Sequence, residues 1–201
     1  MYVNPSFPVY RIPLILASRS RRRIALLRQA GFRFTVCDTG IAEESYPTEL
    51  RGVEVPLYLA ERKSDAFLRR HVPEGNTVVV TADTVVCRHE QVLGKPACRK
   101  EAVGMLESLS AGMHRVYTGV CLASSAQRSL FSSESRVWFR KLSREEIEWY
   151  ADAFRPYDKA GAYGIQEWIG LVGIEKIEGS YYNIVGFPIH RFYEELKKYE
   201  P

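Results

Sequence analysis

The chain has 201 residues, 46% of them hydrophobic and 26% charged, the balance of a soluble globular protein able to bury a sizeable core. Its net charge of +4 suits an anionic small molecule but is too slight to argue for nucleic acid. No apolar run reaches membrane-spanning length, and Met1 to Pro13 lacks a signal-peptide core, so no membrane partner and a cytoplasmic location are expected.

Residues 1–13 carry three prolines and read as an irregular leader. The apolar run Leu14 to Ala17 predicts a short buried strand, Ser18 and Ser20 a turn, and Ile24, Leu26 and Leu27 the start of an amphipathic helix. A strand that ends in hydroxyls at a helix start presents unpaired N–H groups and the positive end of a helix dipole. Arg21, Arg22 and Arg23 fall in that first turn, where cations oppose the dipole unless something anionic lies opposite. A polyphosphate fits that description.

Gly31 stops the helix, and Phe32 to Cys37 predicts a second strand. Asp38 to Pro56 reads as a long loop rich in acidic residues, and Leu57 to His71 has helical apolar spacing. After the turn Pro73 to Asn76, the β-branched run Thr77 to Cys87 predicts a central strand. Lys100 to Leu109 is a helix with Ala102, Leu106 and Leu109 inward. His114 to Ser124 and Ser129 to Leu142 predict a hairpin, and Ser143-Arg-Glu-Glu146 is a capping box opening a helix to about Phe154. Asp158 to Gly186 is glycine-rich; within it, Gly179 onward predicts a turn and a short strand before a helix begun by Pro188 and running to Lys198. The order implies an α/β protein with a mixed, partly antiparallel sheet.

Asp83 stands inside the run Val78 to Val86, where an unpaired carboxylate would be costly. It needs a hydrogen-bonding network, a metal or a catalytic task, and Thr84 beside it offers a hydroxyl. Pro96 fixes the chain after Lys95, and Lys63 lies on the predicted helix. Small residues at 160–162 and 164 let backbone approach a ligand, and the Gln166 amide can donate and accept together, as reading a base edge requires. The chain contains no GxxxxGK[ST] loop, GxGxxG, HExxH or GxSxG. The four cysteines, Cys37, Cys87, Cys98 and Cys121, lack zinc spacing and are expected reduced and buried. An anion cradle, two lysines, an internal aspartate and the acidic pair Glu43 and Glu44 suit metal-assisted cleavage of a phosphoanhydride.

Taken in order, Leu16 to Arg23, Leu59-Ala-x-x-Lys63, Ala82-Asp-Thr-Val-Val86, Gly94-Lys-Pro96, His114-x-Val-x-Thr-Gly119, Asp158 to Gln166 and Gly179-Ser-Tyr to Pro188 resemble the Maf family of nucleoside triphosphate pyrophosphatases. The resemblance implies a mixed α/β fold of two lobes around a deep cleft, akin to the inosine triphosphate pyrophosphatases, with residues 14–201 as one catalytic domain. The segment Asp-Lys-Ala-Gly-Ala-Tyr-x-Ile-Gln resembles the branch that hydrolyses dTTP and UTP rather than the one acting on 7-methyl-GTP. It further implies a nucleoside triphosphate as partner, homodimers in many members, and a requirement for Mg²⁺ or Mn²⁺.

By the same resemblance Ser18, Arg22, Lys63 and Lys95 bind the triphosphate, and Asp83 accepts the proton of the attacking water. Thr84 and Gln166, with Arg22 shared, select the pyrimidine, and Glu44 (or Glu43, the loop leaving the register open by one) joins Asp83 at the metal. Two positions depart from the family pattern: Arg21 replaces a usual proline, and Glu167-Trp168-Ile169-Gly170 replaces a Gly-Arg-Gly continuation. Both bear on nucleotide preference. Rival readings are a non-catalytic nucleotide- or DNA-binding regulator of cell division and a pyrophosphatase for modified or purine nucleotides.

Overall fold

In the computed structural model, which describes residues 11–40 and 45–200, strand β1 (Leu14–Ala17) occupies the span its apolar run predicts. Ile12 is already buried in the core and the Pro13 carbonyl accepts from Val78 N at 2.8 Å. Helix α1 (Arg21–Gln29) follows, capped by the Ser20 hydroxyl, which accepts from Arg23 N. Strand β2 (Thr35–Cys37) is half the length expected, beginning three residues after Phe32, which instead turns into the core.

Helix α2 (Glu54–Leu68) begins earlier than predicted, with Pro56 in its first turn, where the missing N–H has no intrahelical partner to lose. Strand β3 (Val78–Arg88) is paired at its end to β4 (Gln91–Leu93), a strand the sequence pattern did not predict. Helix α3 (Arg99–Leu109) buries Ala102, Leu106 and Leu109 as expected. Strands β5 (Met113–Ala123) and β6 (Arg128–Phe139) form the predicted hairpin, and both halves of the Ser143–Glu146 capping box open α4 (Arg144–Phe154).

The glycine-rich stretch is more structured than its composition suggests. It holds a 3-10 turn at Ala160–Ala162, then α5 (Trp168–Gly173), β7 (Ile174–Gly179) and α6 (Tyr181–Val185). The strand expected after Gly179 is therefore a helix, because Ser180 caps it and the buried Asn183 side chain donates to Val116 O and Ser135 Oγ. Helix α7 (Ile189–Leu196) follows Pro188 and ends in a 3-10 turn at Lys197–Tyr199. The cysteines are all free, but Cys98 is exposed and Cys37 only half-buried, so the expected burial holds for Cys87 and Cys121 alone. Among the described residues, no helix is long and apolar enough to cross a membrane.

The expected mixed sheet forms, in the order β2-β1-β3-β5-β6-β7 with β4 added to β3. β1 runs parallel to β2 and β3, and the remaining pairs are antiparallel. β3 divides its two faces cleanly, as a period of two requires. Its odd positions face α2: Val79 packs with Phe67, Thr81 donates to Ala60 O at 2.7 Å, and Val85 and Cys87 pack with Val55 and Leu59. α2 approaches β5 so closely that a Cβ at Gly119 would lie 2.3 Å from Pro56 O.

The even positions of β3 are shared between two cores. Val78, Val80 and Ala82 join the cluster with Leu26, Leu27 and Phe192 from α1 and α7. Val86 joins a second cluster built on Leu106, Tyr150 and Ile169 from α3, α4 and α5. Thr84 stands between the two.

Candidate active site

β1 pairs with β3 only at residues 78–80, and β4 only at 86–88. Between them one edge of β3 is open, and there a cleft of about 580 Å³ enters the molecule. Its lining includes seven predicted site residues: Ser18, Arg22, Lys63, Asp83, Thr84, Lys95 and Gln166. Glu43 and Glu44, assigned to the metal by resemblance, lie outside the described residues.

Ser18 is buried where β1 ends, its hydroxyl accepting from Ser20 N at 3.2 Å. That bond and the Ser20 cap fix the turn that opens α1. The three arginines of the first turn find different partners. Arg22 pairs with the Asp158 carboxylate at 2.9 Å across the cleft. Arg23 turns inward and is buried, donating to Gly186 O at 3.0 Å, Ala82 O at 2.8 Å and Thr84 Oγ1 at 3.2 Å. Arg21 lines the cleft. The anion expected opposite this turn is thus supplied in part by the protein itself, as Asp158.

Lys63 on α2 meets Asp83 on β3 at 3.0 Å, with side chains 10% and 11% exposed. Thr84, on the opposite face, shares a hydrogen with Thr118 Oγ1 at 2.9 Å and donates to Gly186 O at 3.3 Å. Lys95 and Gln166 are exposed at the cleft wall.

Beside Gln166 a polar set centred on the buried Lys159 supports the wall. Lys159 Nζ lies 2.6 Å from Asp158 and 3.1 Å from Glu167. Partial burial raises the Asp158 carboxyl, but Lys159 and Arg22 outweigh it and hold the group below its ordinary range. Tyr163, which also lines the cleft, bonds His114 Nε2 at 2.7 Å, and burial pushes that imidazole down to about 3, with Arg88 adding to the shift. Burial likewise raises the Tyr163 phenol.

Sequence reasoning missed the role of Arg23 as a strut joining α1, β3 and the Gly186 turn. A signal was present: position 23 shares the helical stripe of Leu26 and Leu27, so it faces inward with them.

Among the described residues no three His, Cys, Asp or Glu side chains gather into a metal site. Among the described carboxylates that line the cleft, Asp83 is buried, and Asp38 and Asp158 are exposed. One carboxylate completed by phosphate oxygens and water is a donor set that suits Mg²⁺ or Mn²⁺ arriving with a polyphosphate. The chemistry available is therefore anion binding by several cations beside a buried carboxylate.

Known proteins resemble the chain over most of its length. The family profile described as Maf-like protein matches residues 13–199. A dTTP/UTP pyrophosphatase of Bacteroides thetaiotaomicron is 47% identical over 185 residues, covering 92% of this chain and 95% of that protein. A dTTP/UTP pyrophosphatase of Parabacteroides distasonis is 45% identical over 186 residues, covering 92% and 95%. Among solved structures, a HAM1 protein from Coxiella burnetii overlaps 64% of this chain and 73% of its own at 14% identity, with a TM-score of 0.39.

Proposed function

The chain belongs to the Maf family, and on that premise we propose that it hydrolyses dTTP and UTP to the nucleoside monophosphate and pyrophosphate. The observation that carries the proposal is the meeting of Lys63 and Asp83 at 3.0 Å inside a cleft also lined by Ser18, Arg22, Lys95 and Gln166. Those parts come from distant stretches of chain, and their types suit one task.

Water attacks the α-phosphorus; its oxygen forms the new P–O bond as the bond from the α-phosphorus to the bridging oxygen breaks, and pyrophosphate leaves. Asp83 takes the proton of that water. Lys63 holds one carboxylate oxygen and so orients the base. Arg22, Lys95 and Ser18 grip the phosphates, with Lys63 as a further cation toward them. Exchange of Asp158 for a phosphoryl group on Arg22 keeps that guanidinium paired throughout. Thr84 and Gln166 read the base, the amide of Gln166 meeting the donor and acceptor of a uracil or thymine edge.

Asp83, with Glu44 or Glu43, would hold a divalent cation, whose contribution is neutralisation of phosphate charge as pyrophosphate departs. Residues 14–201 act in this reading as one catalytic domain of two lobes, in the cytoplasm, where the four free thiols stay reduced.

The test is release of pyrophosphate and orthophosphate, measured separately, from dTTP, UTP, ATP and GTP with Mg²⁺ or Mn²⁺. Faster pyrophosphate release from dTTP and UTP is expected. Preference for purines, or orthophosphate as the product, overturns the proposal.

A further inference from the structure

Gln166 lies inside a four-residue turn closed by the hydrogen bond from Glu167 N to Gly164 O at 3.0 Å. Both ends of that turn are tied to one phenol. Gly164 N donates to the Tyr150 hydroxyl at 3.1 Å, and that hydroxyl in turn donates to the Glu167 carboxylate. The other Glu167 oxygen is 3.1 Å from Lys159 Nζ, whose side chain is 10% exposed.

The carboxylate lies directly across the turn, because a Cβ at Gly164 would sit 2.8 Å from Glu167 Cδ. Only glycine leaves room for it. Tyr150 is fully buried in the core with Ile147 and Ala151, so its ring is a fixed post. Burial and the Glu167 carboxylate both raise the phenol, which therefore stays protonated and keeps its donor. The Glu167 side chain, 20% exposed, is itself largely shielded from water, where charge-assisted bonds are stronger than at the surface.

We propose that Glu167 is the positioning residue for Gln166: through Tyr150 and Lys159 it locks the turn that presents the Gln166 amide to the pyrimidine. This rests on the pyrimidine triphosphate reading above. Glu167 does not touch substrate; it acts through the turn. A backbone turn held at one end only can rotate its central peptides, and the amide of Gln166 would then sample several directions. Held at both ends, it offers donor and acceptor in one fixed orientation, which is what discrimination between a uracil edge and an adenine edge demands. The same set continues through Asp158 to Arg22, so the base wall is tied to the phosphate side of the cleft.

The experiment compares UTP and ATP turnover, with thermal unfolding, for the wild type, Glu167→Ala, Glu167→Gln and Tyr150→Phe. Losing one buried charge-assisted bond corresponds to about a tenfold effect. Glu167→Ala is expected to lower the UTP-to-ATP ratio of kcat/KM about tenfold, mainly by raising KM for UTP. Glu167→Gln retains an acceptor for Tyr150 and should restore part of the ratio. Tyr150→Phe should lower the ratio, and the double variant should fall by less than the product of the two single effects, since both singles cut the Tyr150–Glu167 bond.

If Glu167→Ala fails to fold, Tyr150→Phe and Glu167→Gln carry the same comparison. Variants that lose melting temperature while keeping the wild-type ratio overturn the inference and leave the pyrimidine reading intact. A wild type that treats UTP and ATP alike overturns that reading, and this inference with it.

Discussion

Replacing Asp83 by asparagine separates chemistry from binding, because the two depend on opposite properties of one carboxylate. The substitution keeps the shape and an acceptor oxygen for Lys63 Nζ, now at 3.0 Å from Oδ1, but removes the negative charge and the proton acceptor. A positioned general base contributes roughly 10²- to 10⁴-fold, so pyrophosphate release should fall at least about a hundredfold.

Stability should fall as well. With both side chains about nine-tenths buried, losing this ion pair costs about 3 kcal/mol when an acceptor remains, the low end for a broken buried pair. At ~2–4 °C per kcal/mol for a chain of this size, the melting temperature should drop by about 6–12 °C. Binding should move the other way. Asp83 is an anion in a cleft that receives anions, so neutralising it removes a repulsion, and metal-free UTP should bind at least as tightly as to the wild type. The assays are pyrophosphate release, calorimetric UTP titration without metal, and thermal unfolding. Turnover at the wild-type rate would refute the assignment of Asp83 as base.

Three further outcomes concern the scaffold. Ser143→Ala removes the acceptor for Glu146 N in the capping box and should cost about 1 kcal/mol by denaturant unfolding. Gly119→Ala puts a methyl 2.3 Å from the Pro56 carbonyl; α2 must shift, costing ~1–3 kcal/mol, and Lys63 moves with it, so activity should fall too. His114 has its folded value depressed to about 3 from 6.5, so the unfolded chain binds the proton first and stability declines as pH falls from about 6.5 toward 3. At pH 5 the loss is about 2 kcal/mol. His114→Gln, measured by unfolding across pH 7 to 5, should flatten that decline.

How far the fold could be read from residues depended on whether local chemistry decided the element. β1 and the Ser143–Glu146 capping box were legible because a short apolar run and a reciprocal cap act within a few residues. Pro56 misled: proline marks a helix boundary in most contexts, and here it lies just inside one. β4 was hidden because its hairpin turns on His89 and Glu90, both at positive φ, with no Asn-Gly or Asp-Gly signal. Tyr181 to Val185 has strand-like composition, yet Ser180 and the long-range bonds of Asn183 make it helical. The site residues could be named singly, but their company could not. Nothing local joins Lys63 to Asp83 across twenty residues, or Arg22 to Asp158 across 136; those pairs follow from which face of β3 each helix covers.

The position of the cleft follows from the sheet itself. Where a parallel pair meets antiparallel neighbours, the crevice beyond the carboxyl end of the parallel strand is open to a ligand. Here β1 ends at Ala17, and the turn at Ser18 hands the chain to α1, whose N-terminus faces that crevice. The uncovered edge of β3 leaves the Ala82 carbonyl without a strand partner, and Arg23 supplies the donor instead. An apolar strand can carry Thr81, Asp83 and Thr84 at this point because each finds a partner: Ala60 O, Lys63, and Thr118 with Gly186 O. The polar break in the valine run and the gap between β1 and β4 are therefore one feature. A variant that filled the gap by extending β1 or β4 along β3 would have to displace Arg23 from Ala82 O, and with it the bond that Arg23 makes to Thr84.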